Sequence, residues 1–80
     1  MKHHEKLEDI NNRHSLALAE RGACCPVGSE NYNVLSDVAK LIRSEYACLK
    51  KGDKHIRHGF RLDVNTGKYR MVILNDHEKN

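Results

Sequence analysis

The chain has 80 residues, with 14 Lys and Arg against 11 Asp and Glu, a net charge of +3, a single Pro and no Trp. A domain this short buries only about 60 to 65% of the surface its unfolded chain exposes, so its core is small and completion by a partner or a second copy is expected. No apolar run approaches the ~20 residues of a membrane span, and the first residues lead into a charged segment rather than a signal-peptide core, which points to a cytoplasmic protein.

Residues 2–21 read as a first helix, because Leu7, Ile10, His14, Ala17 and Leu18 fall in one stripe at 3.6 residues per turn. Gly22 is placed to stop it. Leu16 lies off that stripe and is a candidate for a partner interface. Residues 22–33 read as a loop in which Pro26 biases Cys25 away from helical angles, and Ser29 or Asn33 can cap the next helix. That second helix spans 34–51, with Val34, Leu35, Val38, Leu41, Ile42 and Leu49 on one apolar face, Lys50 and Lys51 at the negative end of its dipole, and Gly52 as its stop.

Residues 55–64 and 69–75 read as the two strands of a hairpin. Ile56, His58, Phe60, Leu62 and Val64 alternate with mostly polar neighbours, the two-residue period of a half-buried strand. Between the strands, Asp63 can head a turn and Gly67 can take the positive φ that closes it. If Asp63 faces Lys68, then Leu62 faces Tyr69, Phe60 faces Met71 and His58 faces Ile73 on a dry side, while Arg61 faces Arg70 on the other. On this register Leu62 and Met71 are core residues whose loss unfolds the domain. Val72 and Leu74 add apolar bulk to the polar side, so strand two is expected to be buried on both faces near its end, by a partner or another copy. The fold expected is therefore α+β: two helices on one face of a C-terminal antiparallel hairpin, one domain over 1–80, with tails at 1–4 and 76–80.

The positive charge is local. Residues 50–70 hold Lys50, Lys51, Lys54, Arg57, Arg61, Lys68 and Arg70 against only Asp53 and Asp63, which leaves the remainder of the chain net acidic. Cations projecting from alternate positions of a two-stranded ribbon match phosphate oxygens, and such a ribbon can enter a major groove. Those seven residues are the expected nucleic-acid contacts, to duplex DNA or structured RNA. The only aromatic side chains of the hairpin, Phe60 and Tyr69, point inward, which disfavours stacking on single strands. No catalytic motif accompanies the basic stretch, so the expectation is a non-enzymatic, self-associating regulatory protein.

Cys24, Cys25 and Cys48 do not suggest a disulfide framework, since neighbours bridge only as a strained ring, and no pair has the spacing of a zinc knuckle. No metal or cofactor is expected. Two other functions fit the size. One is an inhibitor or adaptor of the phage or mobile-element kind, binding a protein through the hairpin edge and the patch of Val72 and Leu74. The other is suggested by architecture alone: helices followed by an antiparallel sheet resemble ribosome-dependent toxin nucleases, which use Arg, Lys, His and Tyr side chains.

Overall fold

The structure is a computed structural model that describes residues 3–51 and 55–74, with side chains described for 6–50 and 55–74. Two helices, α1 (His3–Cys24) and α2 (Glu30–Lys51), precede two strands, β1 (His58–Asp63) and β2 (Lys68–Ile73), which form one antiparallel hairpin. This is the α+β arrangement expected, and the sheet is open. No helix among the described residues is long and apolar enough to cross a membrane.

Both helix boundaries in the connecting loop differ from the sequence expectation, for reasons visible in the loop. Gly22 does not stop α1; it is helical, and the positive-φ glycines among the described residues are Gly28 and Gly67. The helix runs on to the residue pair before Pro26, and a last 3.3 Å bond joins the Cys25 N–H to the Arg21 carbonyl. Gly28, at φ 88°, then reverses the chain. Ser29, not Asn33, caps α2: its Oγ accepts the Tyr32 N–H at 3.2 Å and its carbonyl accepts the Asn33 N–H at 3.0 Å. The second helix therefore starts four residues earlier than its apolar face suggests, with Glu30 at the positive end of the dipole. His3 and His4, assigned to a tail, belong to α1, whereas Gly52, Asn75 and residues 76–80 lie outside the described residues.

The helices run antiparallel, since Arg13 meets Glu45 while Arg21 meets Ser36. Between them Ile10 and Ala17 pack on Val38, Ala39 and Ile42, and Leu18, Val34, Tyr46, Leu49 and Phe60 close the cluster. Of the expected α1 stripe, Ile10 and Ala17 are fully buried; Leu41 on the expected α2 face is exposed.

The hairpin has the expected register, from His58 opposite Ile73 to Asp63 opposite Lys68. Strand one is shorter than predicted, with residues 55–57 outside the regular ladder, although the Leu74 N–H still reaches the Arg57 carbonyl at 2.9 Å. At the tip, Asp63 Oδ1 accepts the Asn65 N–H at 3.0 Å and the Asp63 carbonyl accepts the Gly67 N–H at 2.7 Å, with Gly67 at φ 73°. That is the Asx-headed, glycine-closed loop the sequence implies.

The dry side is narrower than alternation predicts. Phe60 and Tyr69 pack together with ring centroids 5.9 Å apart, and Tyr69 is 7% exposed. Leu62, Met71 and Ile73 on the same side remain 42%, 41% and 53% exposed, and Ile56 and Val64 are exposed as well. A helix is about 10 Å wide and a six-residue strand about 20 Å long, and the covered band runs diagonally: Phe60 on β1 and Tyr69 near the turn on β2 are packed, while Leu62 near the turn on β1 and Met71 and Ile73 farther along β2 are left bare. The expectation that Leu62 and Met71 are core residues is corrected accordingly. On the other side, Leu74 lies over Gly59, where a Cβ would come within 2.8 Å of Leu74 Cδ1. Part of the burial expected for Val72 and Leu74, both half-buried, is thus supplied by the chain itself.

Candidate functional site

Two features define the site: an outward basic face on the hairpin, and a set of helix side chains that hold the hairpin by its edges. In an antiparallel ladder, residues at alternate positions turn both N–H and C=O off the sheet edge. The Leu74 to Arg57 bond makes His58 such a residue on β1. Its edge groups are taken by the two helices: the His58 N–H donates to Glu45 Oε2 at 2.8 Å, and Arg13 Nη1 donates to the His58 carbonyl at 2.7 Å. At the opposite edge Tyr69 is the equivalent residue on β2, and Asn31 spans it. Asn31 Oδ1 accepts the Tyr69 N–H at 3.0 Å while its Nδ2 donates to the Gly67 carbonyl at 2.9 Å. The Tyr69 hydroxyl reaches α1, donating to Glu20 and lying 3.3 Å from Cys24 Sγ; both partners push its proton loss well above the usual tyrosine range.

Glu45 is the hub of the brace. It is 1% exposed and accepts from Arg13 Nη1 (2.9 Å) and Nη2 (2.8 Å), His55 Nε2 (2.6 Å), His58 Nδ1 (2.8 Å) and the His58 N–H. An ionised carboxylate only accepts, so both imidazole nitrogens facing it carry hydrogen. Burial alone would raise the Glu45 pKa; the hydrogen bonds from Arg13, His58 and His55 outweigh it and hold the group at about 2. Arg13 also donates from Nε and Nη2 to Asp9 Oδ2, at 3.1 and 2.8 Å. Arg57 binds the same carboxylate through Nε at 3.1 Å. Asp9 is likewise held below the usual carboxylate range, burial opposing and the two arginines prevailing. Arg13, between two carboxylates, is raised despite burial.

These shifts make the fold sensitive to acid. Glu45 titrates near 4.5 when unfolded and at about 2 when folded, so its contribution is complete above 4.5 and is lost as pH falls toward 2. The window corresponds to roughly 3 kcal/mol, with Asp9 adding in the same direction. Urea unfolding midpoints should therefore drop between about pH 5 and pH 2.5, and Glu45→Gln should flatten that drop. A parent midpoint that does not move across this range would contradict the brace.

The seven expected nucleic-acid contacts do not form one surface. Arg61 and Arg70 stand directly opposite each other, both exposed, on the side away from Phe60 and Tyr69. Lys68 is beside them, exposed and only 3.8 Å from an equally exposed Glu30 carboxylate, a pairing of little energetic consequence. Arg57, by contrast, is part of the Asp9 brace, and Lys50 is exposed at the end of α2. The Lys51 side chain and Lys54 lie outside the described residues. Of the expected interface residues, Leu16 is 59% exposed and shares with Gly59, Phe60 and Leu74 a cavity of about 250 Å³. His58 is a hydrogen-bonded structural histidine, and His14 lies in a separate groove between the helices. Cys24 and Cys25 bring their Sγ atoms to 3.2 Å at the end of α1, and Cys48 is half-buried on α2.

Sequence reading missed Asp9, Arg13, Glu45, His55 and Asn31. One signal was present: Glu45 follows Val38 and Ile42 and precedes Leu49 at the spacing of the buried stripe, and a carboxylate there requires cationic partners. No family model matches the chain, and no curated protein and no solved structure is detectably similar to it.

Proposed function

We propose that this protein is a non-enzymatic regulator, acting in the cytoplasm, that binds the phosphate backbone of duplex DNA or structured RNA through the outer face of its hairpin. The observation that carries this reading is Arg61 opposite Arg70, both exposed and without an acidic partner among the described residues. Directly opposed like charges on a sheet are mildly destabilising, and a bound phosphate offsets that repulsion. The edge brace supports the same reading, because a ribbon held from both sides loses little freedom on binding. The hairpin aromatics Phe60 and Tyr69 face the helices, which favours duplex over single strands.

The test is fluorescence anisotropy with short duplex DNA and duplex RNA at low salt. Arg61→Ala combined with Arg70→Ala should weaken binding on the order of tenfold or more while leaving the thermal midpoint near that of the parent. Equal affinity of parent and variant would remove the hairpin face from consideration.

A second reading rests on a different observation. Asn31 holds the β2 edge at Gly67 and Tyr69 and Glu45 holds the β1 edge at His58, and Met71 and Ile73 farther along β2 are exposed. An added strand, from a protein partner or a second copy, would pair there through main-chain hydrogen bonds. Light scattering across micromolar to millimolar concentration tests the homo-oligomer: a monomer throughout excludes it.

A further inference from the structure

A groove of about 540 Å³ runs between α1 and α2, and its walls carry cations from both helices, Arg21 from α1 and Lys40 and Arg43 from α2, with the His14 imidazole beside them. Among the described residues, no acidic side chain lines it. Arg21 is fixed in place, with Nη1 donating to Ser36 Oγ at 2.9 Å and its guanidinium 4.6 Å over the Tyr32 ring. Lys40 and Arg43 are exposed and make no ion pair among the described residues. Three permanent cations share a groove with no acidic residue in its described lining, and an anion with several oxygens is attracted to such a set.

The groove and the hairpin lie on different sides of α2. At ~100° per residue, Asn31 and Glu45, the two α2 residues that grip the hairpin, lie within ~40° of each other around the helix axis. Ser36, Lys40 and Arg43 lie ~160 to 220° round from Glu45. The groove therefore opens on the side of α2 opposite the hairpin, while Arg61 and Arg70 point outward from the hairpin's far side. Two cationic surfaces stand on opposite sides of one small molecule, with α2 and the hairpin between them.

We infer that the groove is a second phosphate-backbone site and that a single chain bridges two nucleic-acid segments, one on the hairpin and one on the interhelical groove. For its first surface this rests on the function proposed above. It adds a role that the hairpin alone does not imply: bringing two duplex segments together.

The experiment uses one duplex immobilised on beads and a second, dye-labelled copy of it in solution, with the full chain added at low salt. The parent should retain the labelled duplex. Lys40→Gln combined with Arg43→Gln should cut retention about tenfold or more, yet change binding to a single duplex by less than about threefold. Arg61→Ala with Arg70→Ala should also abolish retention. Four exposed side chains are involved, and matching circular dichroism melts show that each variant is folded. A parent that binds one duplex but retains no second overturns the bridge and leaves the hairpin reading intact. Retention undiminished in the Lys40→Gln, Arg43→Gln variant overturns it too, assigning bridging to self-association. If single-duplex binding disappears in that variant and persists without Arg61 and Arg70, the groove is the sole site and both the bridge and the hairpin reading fall. A parent that binds no duplex overturns both as well.

Discussion

Replacing Glu45 with alanine is expected to cost roughly 3 to 5 kcal/mol, the usual consequence of removing one partner of a buried ion pair. A chain of 80 residues has little more stability than that to lose, so most of the variant should be unfolded in urea concentrations the parent tolerates. The loss is large because Glu45 serves three elements at once. Without it, Arg13 on α1 keeps only Asp9 and the His58 carbonyl among the described residues, the bonds from the His55 and His58 rings to the carboxylate are lost, and the His58 N–H at the sheet edge is stranded. Glu45→Gln should fall between parent and alanine variant, since it keeps one acceptor oxygen but loses the charge that Arg13 requires. An unfolding midpoint for Glu45→Ala within error of the parent would show that the cluster is not what joins the layers.

Tyr69→Ala is expected to be comparably costly, about 3 to 5 kcal/mol, because it removes a large, buried side chain from the hairpin's packed side. The ring is against Phe60 and its hydroxyl reaches Glu20 on α1, so the variant loses both packing and a tie to the first helix. Leu62→Ala and Met71→Ala should cost only about 1 kcal/mol each, as both side chains are already near 40% exposed. The contrast separates the structure from simple alternation, which ranks Leu62, Tyr69 and Met71 alike. Equal destabilisation at all three positions would mean that the hairpin is covered along its whole length.

That contrast also shows what could be read from the residues alone. The hairpin register was legible because a two-residue period has only two phases, and Asp63 and Gly67 fix where the turn falls. Helix identity was legible from apolar spacing. Helix ends were not: Gly22 has the freedom to stop a helix but nothing obliges it to, and Pro26 and Ser29 act more strongly on the backbone. How much of the dry side is covered depends on the angle at which α2 crosses the hairpin, which periodicity does not encode. The basic face was legible as charge but not as separate surfaces. Arg57 looks like Arg61 in sequence, and only the approach of Asp9 from the other end of the chain distinguishes them.

Whether the hairpin face binds phosphate is tested most directly by the salt dependence of duplex binding. With Arg57 committed to Asp9, the described hairpin face offers Arg61, Lys68 and Arg70 as phosphate contacts. At about 0.7 to 0.9 per contact, the logarithm of the association constant should fall against the logarithm of salt concentration with a slope of roughly −2 to −3. Arg61→Ala and Arg70→Ala should each make that slope shallower by about one contact, and Arg57→Ala should leave it unchanged while lowering stability. A parent that binds neither duplex DNA nor duplex RNA at low salt, or a slope that Arg61→Ala and Arg70→Ala do not alter, would contradict a phosphate-binding hairpin.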